Sequence, residues 1–446
     1  MDSREIVLNI LTDVNLNKAY SNYSINKHLK KMKNIKDENL IREMVYGVLD
    51  NLVYIDYIIS KLSKIKIKKI QPIILEILRM GVYQIGFMDK IPDRAAVNEA
   101  VNLSKKYGHK GTSGFVNGVL RSFSRNREEI MEIEHSYDSN YLSIRYSYPK
   151  WMVDRWIKEY GFEFAEKICE GNNSKPKLNI RVNTTKITRE KLIENLSDYG
   201  YIVEKTKYAK DGIIIENPYR ITDREEFKQG QFTIQDESSM LVGQITNPRE
   251  NSLVLDLCSA PGGKSTHIGQ LMKNKGRILS RDIYEHKLDL VKENADRLGI
   301  NIVETQLFDA YELDKELEDR VDYCIVDAPC SGLGIIRRRP EIKWNRKEED
   351  IKELAKIQKR ILNNAKNYLK PGGYIIYSTC TIGEEENLAI VKSFLDENKD
   401  FKLVGFEDLL CSDNNLDTAR EGHIQMFPHI HNTDGFFIAR IQKKIS

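Results

Sequence analysis

Through the first third of the chain, apolar residues recur every three or four positions, the spacing of one helix face. Residues 39–62, NLIREMVYGVLDNLVYIDYIISKL, show it most clearly. Pro72 stands at the head of the next run, IILEILRMGVYQIGFM, and a proline in the first helical turn costs no hydrogen bond. Residues 91–108 read as a turn leading into a helix that stops at Gly108, and 111–126 begin another. The pattern predicts an all-helical domain over residues 1–135.

From 136 to 235 the texture changes. Residues 146–173 offer a helix or two, and KLNIRVNTTK (177–186) alternates as a strand does. A short helix then ends at Gly200, and GIIIENP (212–218) is a further strand candidate. This predicts a small α/β linker module. From 236 to 446, apolar β runs alternate with amphipathic helices. The strand candidates are 252–257, 276–282, 301–306, 322–327, 374–380, 401–406 and 435–442. Interleaved helices predict a doubly wound, mostly parallel sheet, so the fold class is α/β with a Rossmann-like domain last. No internal repeat or low-complexity segment interrupts this order.

Composition narrows the class. The chain has 446 residues, 41% hydrophobic and 30% charged, an ordinary globular balance. No apolar stretch approaches the roughly 18–20 residues of a membrane span. The first residues are acidic where a signal peptide requires a basic region. A soluble, cytoplasmic protein without membrane association is expected. The six cysteines (169, 258, 324, 330, 380, 411) are too sparse for a disulfide scaffold, and none form a C-x-x-C pair, so no metal is expected. The net charge is only +3, but residues 1–134 hold 22 basic against 16 acidic side chains. Lysines gather at 26–36 and 61–70. That excess fits contact with a polyanion, and it equally fits a solvated helix face.

The first strand of the last domain runs into LDLCSAPGGKSTH, 255–267. Strand, Gly-rich turn and helix form the cofactor position of a doubly wound sheet, where small residues let a ligand approach and a helix N-terminus offers free N–H groups. The loop is neither G-x-G-x-x-G nor a Walker A sequence. Asp282, Asp309 and Asp327 follow at the ends of strands two, three and four. Singly each suits a helix cap. Together they face one crevice, repel a phosphate-rich ligand and welcome one with a ribose diol and a positive centre. S-adenosylmethionine fits.

Two cysteines lie just past apolar strands: Cys330 in YCIVDAPCSGLG and Cys380 in YIIYSTCTIG. If those strands are neighbours, both thiols face the crevice that holds the cofactor's methyl. C5 of a pyrimidine is a poor nucleophile until a thiolate adds at C6. A second acid/base group is then useful when the cysteine is expelled. Cys324, inside its strand, reads as core; Cys258 shapes the loop; Cys169 and Cys411 have no supporting context. Arg337, Arg338 and Arg339 follow the Cys330 turn, placed to meet phosphates or only solvent. His429 and His431 read as loop or core, and Trp151 and Trp156 as packing.

At these residues the chain resembles the RNA cytosine-C5 methyltransferases of the Sun/NOL1/NOP2 superfamily. CSAPGGKS, DAPCSGLG and YSTCT resemble its cofactor loop and two cysteine motifs, and QGQFTIQDESSML, RRRPEIKWNR and TDGFFIARI also fit. The segment NEAVNLSKKYGHKGTSGFVNGVLRSF resembles a NusB-like RNA-binding domain. Within the superfamily the resemblance is to members acting on small-subunit 16S rRNA. It implies a cofactor loop of Cys258, Ser259, Ala260, Pro261, Gly262, Gly263 and Lys264. It also implies Asp282 on the ribose, Asp309 beside the adenine, and Asp327 near the methionine moiety and the flipped base. Cys380 is implied as nucleophile and Cys330 as the residue assisting product release. Ser259 stands where alanine is common and Phe308 where glycine is common; neither removes a needed group. The expected partner is rRNA and the expected state a monomer. The alternatives are a methyltransferase of tRNA or large-subunit rRNA, or a non-catalytic assembly factor on the same scaffold.

Overall fold

The structure, a computed structural model, describes residues 2–30, 37–412 and 415–445. The end of the lysine-rich stretch 26–36 therefore lies outside the described residues. By internal contacts the chain divides into two units: residues 1–174 with 336–346, and residues 175–335 with 347–446.

In the first unit, described residues up to 174 form helices and turns without strands. Its principal helices are Ser3–Asn15, Glu38–Asp50, Leu52–Leu62, Pro72–Phe87, Asp93–Tyr107 and Lys110–Arg125. Pro72 occupies the first turn of its helix. That helix is apolar on most sides, as a central helix must be, and buries Ile74, Ile77, Leu78 and Val82. Its polar side is satisfied internally: Arg79 bridges Asp56 and Glu76, each at 2.6 Å. Helices Ser139–Tyr146, Lys150–Tyr160 and Phe162–Asn173 complete the main run. Trp156 is fully buried there, edge-on to Tyr148 at 5.3 Å.

Segment 336–346 belongs to this helical unit although it follows the Cys330 turn in sequence. Glu341 accepts hydrogen bonds from the N–H and hydroxyl of Ser21. Lys343 is fully buried, donating to the Asp50 carbonyl and the Asn173 side chain. The Trp344 indole donates to the Leu49 carbonyl at 2.9 Å. Burial pulls the Lys343 ammonium down to about 8 and pushes the Asp50 carboxyl up to about 6.

The second unit contains two sheets. The smaller pairs β1 (Leu178–Val182), β2 (Val203–Lys205), β3 (Gly212–Ile215) and β4 (Phe232–Ile234), all antiparallel, in the order β2-β3-β1-β4. Helix Arg189–Asp198, capped by Thr188, packs Leu192 and Leu196 on Ile180, Ile213 and Ile215. The larger sheet holds β5 (Leu253–Asp256), β6 (Arg277–Asp282), β7 (Val303–Leu307), β8 (Val321–Asp327), β9 (Leu369–Thr379), β10 (Phe401–Leu403), β11 (His423–Met426) and β12 (Phe436–Lys443). Its order is β10-β12-β9-β8-β5-β6-β7, with β11 beside β12. Strands β5 to β9 run parallel, and β12 lies antiparallel against β9.

Both faces of this sheet are covered, which is why its central strands read as continuous apolar runs. Leu255, Cys324, Val326, Ile375 and Tyr377 enter one core with helix Glu348–Tyr368. Val254, Tyr323, Ile325 and Ile376 enter the other with helix Glu237–Thr246. The strand order reverses at β5, between β6 and β8, so a crevice opens at the carboxyl ends of these strands. Three strands escape the sequence pattern, β2, β4 and β11, each of only three or four residues.

Candidate active site

The loop from β5 to helix Gly263–Leu271 holds its shape through its neighbours. Ser259 donates its N–H and hydroxyl to the Arg281 carbonyl of β6, at 2.8 and 3.1 Å. Gly262 has φ +96°, and a Cβ there would lie 3.0 Å from the Val291 Cα, so glycine is required. Arg181 of β1, fully buried, donates to the Gly263 carbonyl at 2.6 Å and the Thr266 hydroxyl at 3.1 Å. Asp256 ends β5 buried beneath the loop. It accepts from the Ser265 hydroxyl, and burial pushes its carboxyl up to about 7 against that bond. Its second oxygen has no protein partner among the described residues.

Three carboxylates stand along the same edge. Asp282 closes β6, half-buried, and accepts from the Tyr284 N–H. Asp309 is exposed and accepts from the Tyr311 N–H. Asp327 ends β8, where one oxygen accepts from Lys264 at 2.6 Å and the other from Ser378 at 2.8 Å. Burial disfavours the Lys264 ammonium, but attraction to Asp327, with lesser contributions from Asp256 and Cys380, outweighs it and raises its pKa. In this loop the one lysine is thus already neutralised by Asp327. The donor set suits a diol and a zwitterion, not a polyphosphate.

β8 and β9 are parallel neighbours, with Asp327 beside Ser378. The turns beyond them bring the Cys330 and Cys380 sulfurs to 3.1 Å. Both are free thiols and half-buried. The hydrogen bond to Cys380, burial, and the negative charges of Cys380, Glu386 and Asp327 hold the Cys330 thiol well above its ordinary range. The two sulfurs share one hydrogen bond, in which either thiol can donate. Cys258 is raised in the same way by burial and by Asp256, Asp327 and Asp282, consistent with a shaping role. Cys169 and Cys324 are buried, Cys324 within β8, and Cys411 is exposed.

Two glycines let the backbones meet behind Cys380. Gly334 donates to the Cys380 carbonyl at 3.0 Å, and Gly435 donates to the Gly334 carbonyl at 2.8 Å. A Cβ on Gly334 would fall 1.9 Å from the Gly435 oxygen and 2.9 Å from the Cys380 oxygen. Gly334→Ala is expected to displace the Cys380 turn and lower kcat by about a hundredfold, with cofactor affinity nearly unchanged. Steady-state kinetics beside calorimetry checks this.

The three arginines differ in exposure. Arg337 is buried, Arg338 half-buried, and Arg339 exposed with its guanidinium 5.7 Å from the Tyr20 ring centre. All three lie in the helical unit. Of the three, Arg339 is the most exposed. His431 is buried, bonded to the backbone of Phe427 and Asn415, a loop-closing role. Among the described residues no group of three or more His, Cys, Asp or Glu is placed to hold a metal, and no helix is long and apolar enough to cross a membrane.

Known families cover most of the chain. The profile described as 16S rRNA methyltransferase RsmB/F matches residues 243–442, that of the NusB family 1–125, and that of the RsmF/B-like ferredoxin-like domain 148–222. The probable ribosomal RNA small subunit methyltransferase B of Bacillus subtilis is 40% identical over 445 residues, 99% of this chain and 98% of its own. The chain belongs to the RsmB/F family of 16S rRNA methyltransferases. The chain is also similar to solved structures. The crystal structure of PH0851 superposes over 99% of both chains with a TM-score of 0.81 at 26% identity. A methyltransferase homolog protein from Pyrococcus horikoshii covers 69% of this chain and all of its own, with a TM-score of 0.61 at 30% identity. The Rossmann-like methyltransferase fold and the NusB-like domain expected from sequence are present, and the small α/β module corresponds to the ferredoxin-like domain matched over 148–222.

Sequence reasoning missed the layer behind the thiols. Glu386 lies in the run GEEEN, which reads as a solvated acidic turn. Only the turn Glu384–Glu386 distinguishes it, leaving Glu384 and Glu385 exposed and Glu386 fully buried. Arg181 was equally silent, an arginine within an alternating strand.

Proposed function

We propose that this RsmB/F-family methyltransferase transfers a methyl group from S-adenosylmethionine to C5 of a cytosine in 16S rRNA, through a covalent bond between Cys380 and C6. The observation that carries the reading is the pair of free thiols in contact beside the Lys264–Asp327 ion pair. Cys380 gives up its proton and its sulfur adds to C6, which makes C5 nucleophilic. The positive charge of Lys264 interacts with Cys380 and supports the attacking sulfur. S-adenosylmethionine supplies the electrophilic methyl at C5. C5 then loses its proton, the C5–C6 double bond reforms, and the C6–sulfur bond breaks. Cys330 hands its own proton to the departing Cys380 sulfur and takes up the one C5 releases. Both cysteines finish as thiols, and one proton is released per methyl transferred.

In this reading residues 258–264, Asp282 and Asp309 hold the cofactor, with Asp282 on the ribose and Asp309 beside the adenine. Asp327 orients Lys264 and the target base. Residues 1–135 and Arg339 contribute to rRNA binding, 136–235 link, and 236–446 catalyse apart from segment 336–346, which belongs to the helical unit. The enzyme acts as a cytoplasmic monomer. Incorporation of labelled methyl into 16S rRNA from a deletion strain, with bisulfite mapping, tests the function. One restored 5-methylcytosine is expected; labelling confined to tRNA or large-subunit rRNA, or at no cytosine C5, would overturn it.

Asp282→Ala removes an acceptor of two hydroxyl hydrogen bonds, costing about 2–3 kcal/mol. The dissociation constant of the demethylated cofactor should rise about 30- to 150-fold, while RNA affinity holds. Calorimetry showing an unchanged constant would refute the ribose role.

A further inference from the structure

Behind the two cysteine turns lies a bracket built from consecutive residues. One Glu386 oxygen accepts from the Ser331 N–H at 2.8 Å and from Gln358 at 2.9 Å; the other accepts from the Ser331 hydroxyl. Gln358 also donates to the Pro329 carbonyl, so the turn on both sides of Cys330 is gripped. Asn387 does the same for the other turn. Its side chain accepts from the Thr379 hydroxyl and donates to the Thr381 carbonyl at 3.1 Å, one residue either side of Cys380. The Ser331 and Thr381 hydroxyls close the bracket at 2.8 Å. Glu386 is fully buried and Asn387 nearly so. A buried carboxylate is retained in a fold only where hydrogen bonds satisfy it.

We propose that Glu386 and Asn387 are positioning residues that hold Cys330 and Cys380 at the spacing needed for a proton to pass between them, with the Glu386 carboxylate on the Cys330 side of the bracket. Neither residue is placed to touch the base; each acts through a cysteine turn. The charge sits on the Cys330 side, where it is among the influences keeping that thiol protonated. Lys264 supplies the opposite sign to Cys380. The inference rests on the covalent reading only for what the spacing is used for.

The test separates the two. Full-length Glu386→Gln, without RNA, is alkylated with iodoacetamide across a pH series and each cysteine peptide is read by mass spectrometry. Removing an anion eases ionisation of the neighbouring thiol. Cys330 alkylation at pH 8 should therefore rise at least about threefold, with its midpoint at lower pH. An unchanged Cys330 profile overturns the role of the charge, whatever the enzyme does with RNA. A shifted profile in an enzyme whose wild type forms no RNA adduct would sink the covalent reading and leave this inference standing. With RNA, Glu386→Gln should release its adduct about tenfold more slowly, with KM for both substrates within about twofold. A raised KM with unchanged kcat overturns the positioning role. Ser331→Ala is the second variant, should Glu386→Gln fail to fold. It deletes the hydroxyl joining Glu386 to Thr381 and no charge. Adduct release should slow at least about threefold; wild-type release there overturns the proposal.

Discussion

Cys380→Ala is expected to lose turnover by at least about ten-thousandfold and to form no covalent complex with RNA. Cys330 lies 3.1 Å from the Cys380 sulfur, but its own turn is held by Glu386 and Gln358, so it is not expected to take over the attack. Cys330→Ala should fail in the opposite way. Addition at C6 and methyl transfer need only Cys380, so both should proceed. The departing sulfur then lacks its proton donor, and release should slow by about a hundredfold. The variant should accumulate a protein–RNA adduct that survives denaturing electrophoresis. RNA carrying 5-fluorocytosine should trap wild type as a stable complex, because fluorine cannot leave as a proton does. If Cys380→Ala traps this RNA and Cys330→Ala does not, the roles are reversed.

Deleting residues 1–126 should do more than weaken RNA binding. On sequence alone the deletion looks clean, because the cofactor and cysteine motifs all lie beyond it. The structure adds segment 336–346 to the helical unit. Deletion would strip Glu341 of Ser21, Lys343 of Asp50 and Trp344 of Leu49. Buried Ile342 and the half-buried Trp344 ring would meet water, and two buried charges would lose their surroundings. The truncated chain is expected to aggregate or melt well below the full chain in a thermal scan. In the full chain, Trp344→Ala should cost about 2–3 kcal/mol, somewhat less than a fully buried tryptophan, and cofactor affinity should hold. A truncated chain with the full chain's melting temperature would show that the segment's burial contributes little.

How far the chain could be read tracks the range of the interactions concerned. The shared edge of loop 258–264, Asp282, Asp327 and both cysteines was legible because each sits directly after an apolar strand, and strand ends in a parallel sheet lie along one edge. The pairing of Lys264 with Asp327, 63 positions apart, was not. Lysine in a Gly-rich turn reads only as part of the turn, so the cation near Cys380 had no visible source. Arg337–Arg339 read as a basic loop, yet the chain carries Arg337 into a core, because burial depends on partners distant in sequence. Glu386 was hidden among identical neighbours: a run of three glutamates gives no sign of which one a tight turn directs inward. β11 and β2 were too short for a period-two pattern to register.

The late segment within the helical unit has a consequence for synthesis. A ribosome adding about 5–20 residues per second passes residue 174 well before residue 346. For some ten to thirty seconds the nascent helices therefore have neither the Trp344 ring nor the Glu341 carboxylate to complete them. During that interval the surface that later receives Trp344 is open to other proteins, and the chain commits its first unit only after most of its second has emerged.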